Sequence, residues 1–469
     1  MSFPATLAKD ILDKGLAHPQ IRDEIFMQVM KQLSQNPNPE SIAKGWQLMC
    51  MCVSTFPPSD DFEYYLLNFI LNKSEGFGAV KNYAKYCLRT LEGMLTSGAS
   101  GFVPSVDEIR AYKERPPILA TIELVDGQEL TADLPVTPDL NVGKVTEICA
   151  HFLNLEDDRT SSMGLFVYDM PGEPAGAGDY ERKPESPIIK DLPRTPRPLR
   201  FEDFPGDILV QKARQGRNFK FVFKKKIFLS STNGPSDDEQ YRRLVYLQAE
   251  DEVITTGNLR IEDESLVTTL SAMSVAYNFA DEFPTDVESF LASDCMSFVP
   301  VAWRDTKNPE DWASLILAQR DATLNDLGGI EEAFVNHIKD TPFYGGHLFC
   351  VKKAYSNAEG IDPPLTDLMT LCFREDGLHI FDDSHNYLQH FGYADIIRWG
   401  GSSRQFSLVI WHAPTESTYE VMLHSAQAAD MAAIILDYIN SIMQASEEED
   451  DENDNSDLPP GPPPPLKGF

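Results

Sequence analysis

At Ile118 the hydrophobic pattern of this chain changes its period. Upstream, apolar residues return every three or four positions, as on the buried face of a helix; from ILATIELVDGQELTADLP they alternate, as along a strand. Helical spacing resumes between Asp237 and about Asp340, and strand spacing from Phe343 until a last helical stretch, Ser425 to Met443. One core cannot serve all these blocks, and 469 residues give room for three or four domains. The expected division is an all-helical bundle over 1–115, a mixed domain over 116–228, a second helical one over 229–341, a strand-rich one over 342–445 and a tail over 446–469.

Within the first block, Pro19 suits an opening helical turn, where its missing N–H is no loss. Asp23 and Glu24 come next, at the positive end of the dipole, and Lys31 lies near the negative end. Ile21, Ile25, Val29 and Leu33, widened by Phe26 and Met30, form the apolar stripe, and Asn36-Pro37-Asn38-Pro39 stops it. Ser41 is the expected N-cap of the next helix, with Trp46, Met49, Cys50 and Val53 inward; Arg22, Asp23 and Glu24 read as pairing within their own helix. Ser59 is placed to cap a further helix, and Val80, Tyr83, Ala84, Cys87, Leu88, Leu91 and Leu95 form the arc of a longer one. The ordered series GLAHPQIRDEI, KQLSQNP and GWQLM resembles the myosin tail homology 4 (MyTH4) domain, a helical module of unconventional myosin tails and of a plant kinesin, usually set before a FERM domain.

From Ile118 onward the chain resembles a FERM domain. A hairpin turning at Asp126-Gly127, a helix from Val142 to Leu153 with Val142, Val145, Ile148, Cys149 and Phe152 on one side, and the strand LFVYD suggest a ubiquitin-like first lobe. DFPGDIL, from Asp203, and FKFVFKKKIF, Phe219 to Phe228, would complete it. Met170 to Arg200 is too broken by Pro and Gly to fold alone and reads as a basic insertion loop carrying Arg182, Lys183, Lys190, Arg194, Arg197 and Arg200, able to clamp an acidic surface of its own chain or of a partner. The helical block fits a second lobe. HLFCVKK, DLMTLCFR, GLHIF, YLQHFGY, DIIRWGG, QFSLVIW and TYEVMLH, with the closing helix, fit a third lobe of the pleckstrin or phosphotyrosine-binding type. The fold class is thus multidomain α+β: a helical bundle, then a three-lobed FERM cloverleaf, similar to the tail of a class VII-like myosin.

The formal charge of −33 argues against nucleic acid and against more than peripheral contact with anionic membrane, since no domain-wide basic field exists. Seven Cys without regular spacing suit a reduced cytoplasmic protein, and Cys50 and Cys52 read as core. No run reaches the roughly 20 apolar residues that span a bilayer.

Three candidate sites stand out. Ile396, Ile397, Arg398, Trp399 and Gly400, beside Met431 and Ile435 of the closing helix, resemble the strand-and-helix groove where talin's third lobe takes receptor tails by strand addition, and Gly400 and Gly401 would admit a partner backbone. Lys81, Lys85 and Arg89, four apart, make a basic stripe that could meet microtubules or another acidic partner. Pro462, Pro465 and Lys467, in PPGPPPPLKGF, fit a ligand of a Src-homology-3 domain, while the preceding EEEDDENDNSD reads as disordered. Lys352 and Lys353 are a weak signal for a phosphoinositide head group.

Catalytic motifs are missing: there is no phosphate loop, nucleophile elbow or H-E-x-x-H. His379, His385 and His390 come nearest to a cluster but show no Cys or carboxylate frame of metal-site spacing, so no cofactor or metal is expected. The resemblance implies binding without catalysis. The partners would be cargo adaptors, receptor tails and talin-like cytoskeletal or adhesion proteins, and the myosin's own motor domain in an autoinhibited state, at the actin-rich cortex or in filopodia. The alternative is a surface anchor acting through its basic patches on microtubules or phosphoinositides.

Overall fold

The structure is a computed structural model that describes residues 5–75, 78–114, 117–170, 195–215, 218–230, 237–324, 329–358, 361–402 and 404–456. It divides into two compact units, Met1–Asn154 with Gly164–Pro184 and Leu199–Phe223, and Leu155–Met163 with Glu185–Pro198 and Lys224–Phe469.

The first unit opens with six helices: α1 (Ala5–Ala17), α2 (Arg22–Leu33), α3 (Pro39–Val53), α4 (Asp60–Ser74), α5 (Gly78–Ser97) and α6 (Val106–Glu114). Pro19 starts a short 3₁₀ turn that leads into α2, whose first turn holds Asp23 and Glu24 and whose last holds Lys31. The inward residues of α2 are Phe26, Val29 and Leu33, all members of the expected stripe, with Ile25 and Met30 partly buried against the same core. Trp46 is buried and stacks on Phe69 at 6.1 Å between centroids. Gly15 is required where it stands: a Cβ there would lie 2.3 Å from the Phe56 ring.

Two of the expected polar roles are corrected. The cap of α3 is Asn38, not Ser41: its side chain accepts from the N–H groups of Glu40 and Ser41, leaving Pro39 at N1, which has no N–H to satisfy. Arg22 does not pair within its helix. Its Nε donates to the Gly15 carbonyl at 2.8 Å and its guanidinium lies over the Phe56 ring, so it satisfies a carbonyl at the end of α1.

The same unit continues with β1 (Ile118–Glu123), β2 (Glu129–Val136) and α7 (Val142–Phe152). Gly127, at φ +83°, makes the hairpin turn, and Asn141 caps α7 by accepting from Lys144 N–H. β5 (Asn218–Lys225) pairs in parallel with β1, and β3 (Met163–Met170) belongs to the same sheet, while β4 (Arg197–Pro198) falls in the second unit. Hairpin, helix and a parallel central pair make this the ubiquitin-like lobe. Phe152, expected inside, is exposed, because α7 ends there and buries Val142, Val145 and Cys149 instead. The DFPGDIL stretch opens a helix, Pro205–Gln215, with Pro205 in the first turn that tolerates it. Of the insertion's basic residues, Arg182, Lys183, Lys190 and Arg194 lie outside the described residues.

In the second unit the short helix α8 (Asp157–Thr160) precedes the helical lobe; Pro205–Gln215 in the first unit is α9. The lobe comprises α10 (Glu239–Glu250), α11 (Glu264–Phe279), α12 (Val287–Ala292), α13 (Pro309–Ala318), α14 (Arg320–Leu324) and α15 (Ile330–Ile338) around Tyr246, Phe290, Trp312 and Phe334. The third lobe is an antiparallel sheet of order β10-β11-β12-β6-β7-β8-β9. Its strands are β6 (His347–Ser356), β7 (Leu368–Arg374), β8 (Gly377–Asp382), β9 (Tyr387–Phe391), β10 (Ile396–Gly401), β11 (Gln405–His412) and β12 (Ser417–His424). The closing helix, α16 (Ala428–Ser456), packs Met431, Ile434, Ile435 and Tyr438 into the sheet.

Residues 447–456, expected as disordered chain, instead continue α16 to Ser456. Extending a helix already nucleated by packing costs far less than starting one, so the acidic run can prolong it without a core of its own. The proline motif of Pro462, Pro465 and Lys467 lies outside the described residues.

Candidate functional site

β10 ends the third-lobe sheet. Its inner side pairs with β11, Trp399 opposite Leu408 and Gly400 opposite Ser407, and no strand among the described residues covers its outer side. A register shift between Ile396 and Arg398 bulges the strand at Ile397. Ile396 points into the core, while Ile397 is 58% exposed and Arg398 faces solvent. Trp399 lies against α16, where its indole Nε1 donates to the Ala432 carbonyl at 3.3 Å. The two glycines differ. A Cβ on Gly400 would meet nothing within 4 Å, whereas one on Gly401 would sit 2.6 Å from Ala428 Cβ. Gly401 therefore serves the lobe's own packing, and Gly400 alone keeps open space beside the edge.

The helical wall also needs correction. Met431 and Ile435 are fully buried, because positions 431, 434, 435 and 438 form the stripe that faces the sheet. The apolar surface left for a partner lies one residue further round: Ala432, Leu436 and Met443, the last two 49% and 58% exposed. The spacing of 432, 436 and 443 is the signal for this second stripe, legible only when the helix is read as two faces.

On α5, Lys85 and Arg89 are exposed and Lys81 is partly buried, so the basic stripe faces outward. Lys353 is engaged within its own lobe, donating to the Leu365 carbonyl at 2.7 Å, which weakens any head-group role. Of the insertion residues, Arg197 pairs with Asp430 at 2.8 Å in the first turn of α16, and Arg200 with Asp203 at 2.9 Å. Thr195 and Gln427 exchange hydrogen bonds beside the Arg197 pair.

At the opposite edge of the sheet, the expected lack of a carboxylate near the histidines does not hold. His379 on β8 and His390 on β9 sit opposite each other, and Asp376 in the β7–β8 turn meets both. His385 stands apart, its ring against Phe343. Burial lowers the His379 pKa, against the pull of Asp376. Burial would raise that of Asp376, but the His379 hydrogen bond and the charges of His379 and Arg374 outweigh it and hold it below the usual value. The sequence signal is faint: Asp376 is three residues before His379, and only the hairpin register brings in His390.

Comparison with known proteins agrees with this architecture. Residues 8–111 match the MyTH4 domain model and residues 357–443 that of the PTB domain (IRS-1 type). The solved human myosin 7b C-terminal MyTH4-FERM domain, in complex with harmonin-a PDZ3, superposes with a TM-score of 0.52 at 18% identity, over 91% of this chain and 81% of that one. The chain has the fold of a MyTH4–FERM tandem. Its sequence is 25% identical over 462 residues to Drosophila melanogaster myosin-VIIa, covering 93% of the tandem and 19% of that protein. It is 24% identical over 445 residues to the kinesin-like protein KIN-14I of Oryza sativa, covering 91% of the tandem and 33% of that protein. The tandem thus spans a third or less of these relatives, and its resemblance is to myosin VII tails. Among the described residues no helix is long and apolar enough to cross a membrane.

Proposed function

We propose that this tandem is a non-catalytic protein-interaction module of an unconventional myosin tail, and that its third lobe takes an extended peptide as an added strand along β10. The observation that carries this reading is the outer side of β10, without a paired strand among the described residues, bearing exposed Ile397 and lying against α16, a helix that also exposes Leu436 and Met443. Backbone hydrogen bonds along such an edge supply affinity, and the apolar wall of α16 supplies selectivity. The partners are cargo adaptors, receptor tails or talin-like adhesion proteins at the actin-rich cortex or in filopodia. The human myosin 7b MyTH4-FERM domain, solved in complex with harmonin-a PDZ3, supports a protein partner. The same surfaces can hold the motor of the parent myosin inactive until a competing partner releases it by mass action.

The test is selection of binding peptides by display, then titration against Ile397→Lys and Leu436→Glu variants. Both should weaken binding at least tenfold, and bound peptide should protect the amides of 396–401 from exchange. Selected peptides that bind both variants as tightly as the parent would overturn this assignment.

A second reading rests on the outward Lys85 and Arg89 of α5. On that reading the module anchors to microtubules or phosphoinositide membranes by charge. The net charge of −33 opposes it. Sedimentation with microtubules and with phosphoinositide vesicles, over a salt series and with Lys81, Lys85 and Arg89 reversed, separates the two.

A further inference from the structure

Asp376, His379 and His390 come together through three separate features of the fold. The antiparallel register of β8 and β9 sets His379 opposite His390, their rings 4.4 Å apart and 29° from parallel. Gly377, at φ +133°, lets the β7–β8 turn lie on β9, since a Cβ there would be 2.2 Å from the Phe391 carbonyl oxygen. That turn holds Asp376 over the histidine pair. Both imidazole Nε2 atoms converge on it, His379 Nε2 2.9 Å from Asp376 Oδ1 and His390 Nε2 3.0 Å from Asp376 O. One ligating atom from each side chain lies within 4.8 Å of the other two.

We propose that Asp376, His379 and His390 bind a first-row divalent cation of the Zn²⁺ type at the β9 edge of the third lobe. Two imidazoles and one carboxylate suit a borderline ion and exclude a preference for Mg²⁺ or Ca²⁺, which want oxygen donors. Zn–N and Zn–O bonds of about 2.0–2.2 Å put tetrahedral donors roughly 3.3–3.6 Å apart, so side-chain rotation alone closes the present spacing. Entry of the ion displaces both Nε2 hydrogen bonds, that of His379 to the Asp376 carboxylate and that of His390 to the Asp376 carbonyl; each imidazole then carries its proton on Nδ1, leaving Nε2 to ligate beside one carboxylate oxygen. Asp376 and His390 are exposed, so an ion reaches the site from solvent and its remaining positions take water. Arg374 is the opposing charge, its Nε 3.7 Å from the Asp376 carboxylate, but its guanidinium is also held by the Pro342 carbonyl at 3.1 Å.

Calorimetric titration of the full chain with ZnCl₂, and absorption of the Co²⁺ form, test the site. One ion per chain is expected, with affinity falling at least tenfold in His390→Ala and in Asp376→Asn. Mg²⁺ and Ca²⁺ should leave the titration unchanged. His390 is exposed, so its replacement tests the site even if a His379 variant fails to fold. Zn²⁺ binding of equal strength in His390→Ala and the parent, no saturable Zn²⁺ binding, or Mg²⁺ competing at equal concentration would each overturn the proposal.

Discussion

Asp23 accepts two hydrogen bonds from Ser59, thirty-six residues later in the chain: one from its backbone N–H at 2.9 Å and one from its hydroxyl at 2.6 Å. Ser59 is the residue before α4, but its own side chain makes no cap. The carboxylate of α2 does that work from outside and brings negative charge to the start of α4. Beside it, Arg22 closes the end of α1. Consecutive residues of the RDE sequence therefore tie three helices together. Asp23→Ala should destabilise the helical module by about 1–2 kcal/mol, the range of a lost cap, with Asp23→Asn less affected. Urea unfolding monitored by helical circular dichroism checks it; equal midpoints for parent and alanine variant would contradict it.

Trp46 is among the largest fully buried side chains, at 1% exposure. Trp46→Ala leaves a cavity against Phe69 and should cost roughly 3–5 kcal/mol. A thermal melt of the tandem should show this as an earlier transition of the first unit. An unchanged melt would remove Trp46 from the core.

Which elements are legible in the residues depends on the physical term that decides each one. Strands β6 to β12 and the buried stripe of α16 are readable because burial dictates a period, and the period is written in the residues. Polar roles are not. Asn38 and Ser41 both suit an N-cap, and only the bond from Ser41 N–H to Asn38 decides between them. Arg22 and Asp23 look like helix neighbours, yet each reaches a different helix, Arg22 seven residues back across the break before α2 and Asp23 thirty-six residues ahead, beyond any local window. Phe152 is apolar and in phase, but it is the last residue of α7 and stands exposed. In the candidate groove the IIRWGG strand is legible. The helix residues that face a partner are not, because Met431 and Ile435 are apolar for the lobe's core and the outer stripe lies one position on.

His347 should make the second unit sensitive to acid. It is half-buried at the start of β6, and its Nε2 lies 2.7 Å from the Lys226 carbonyl. Burial pulls its pKa from 6.5 down to about 3, and the charges of Lys224 and Lys226 push the same way. The unfolded chain takes up a proton near pH 6.5 that the folded chain refuses. This contribution to stability is therefore intact above about 6.5 and is lost progressively as pH falls from there toward 3. Two units into that window the loss is roughly 3 kcal/mol. His347→Gln keeps a donor but cannot titrate, so its melting temperature should fall less steeply between pH 6.5 and 4.5. Parallel curves for parent and variant would show that His347 is not the group responsible.

The ion pair of Arg197 with Asp430 gives the last prediction. Both side chains are mostly shielded, 24% and 11% exposed, and the pair joins β4 to the first turn of α16. A shielded pair near a helix start differs from a surface salt bridge: losing one partner leaves a charge with poor access to water, and a carboxylate here also favours the helix dipole. Arg197→Ala and Asp430→Ala should each destabilise the second unit. The double variant should be less destabilised than their sum, with a coupling of roughly 1–2 kcal/mol. Thr195 and Gln427 share the junction, so Gln427→Ala should couple to Arg197→Ala as well. Strict additivity across the cycle would mean that the end of the insertion is held on α16 by packing, with the charges as bystanders.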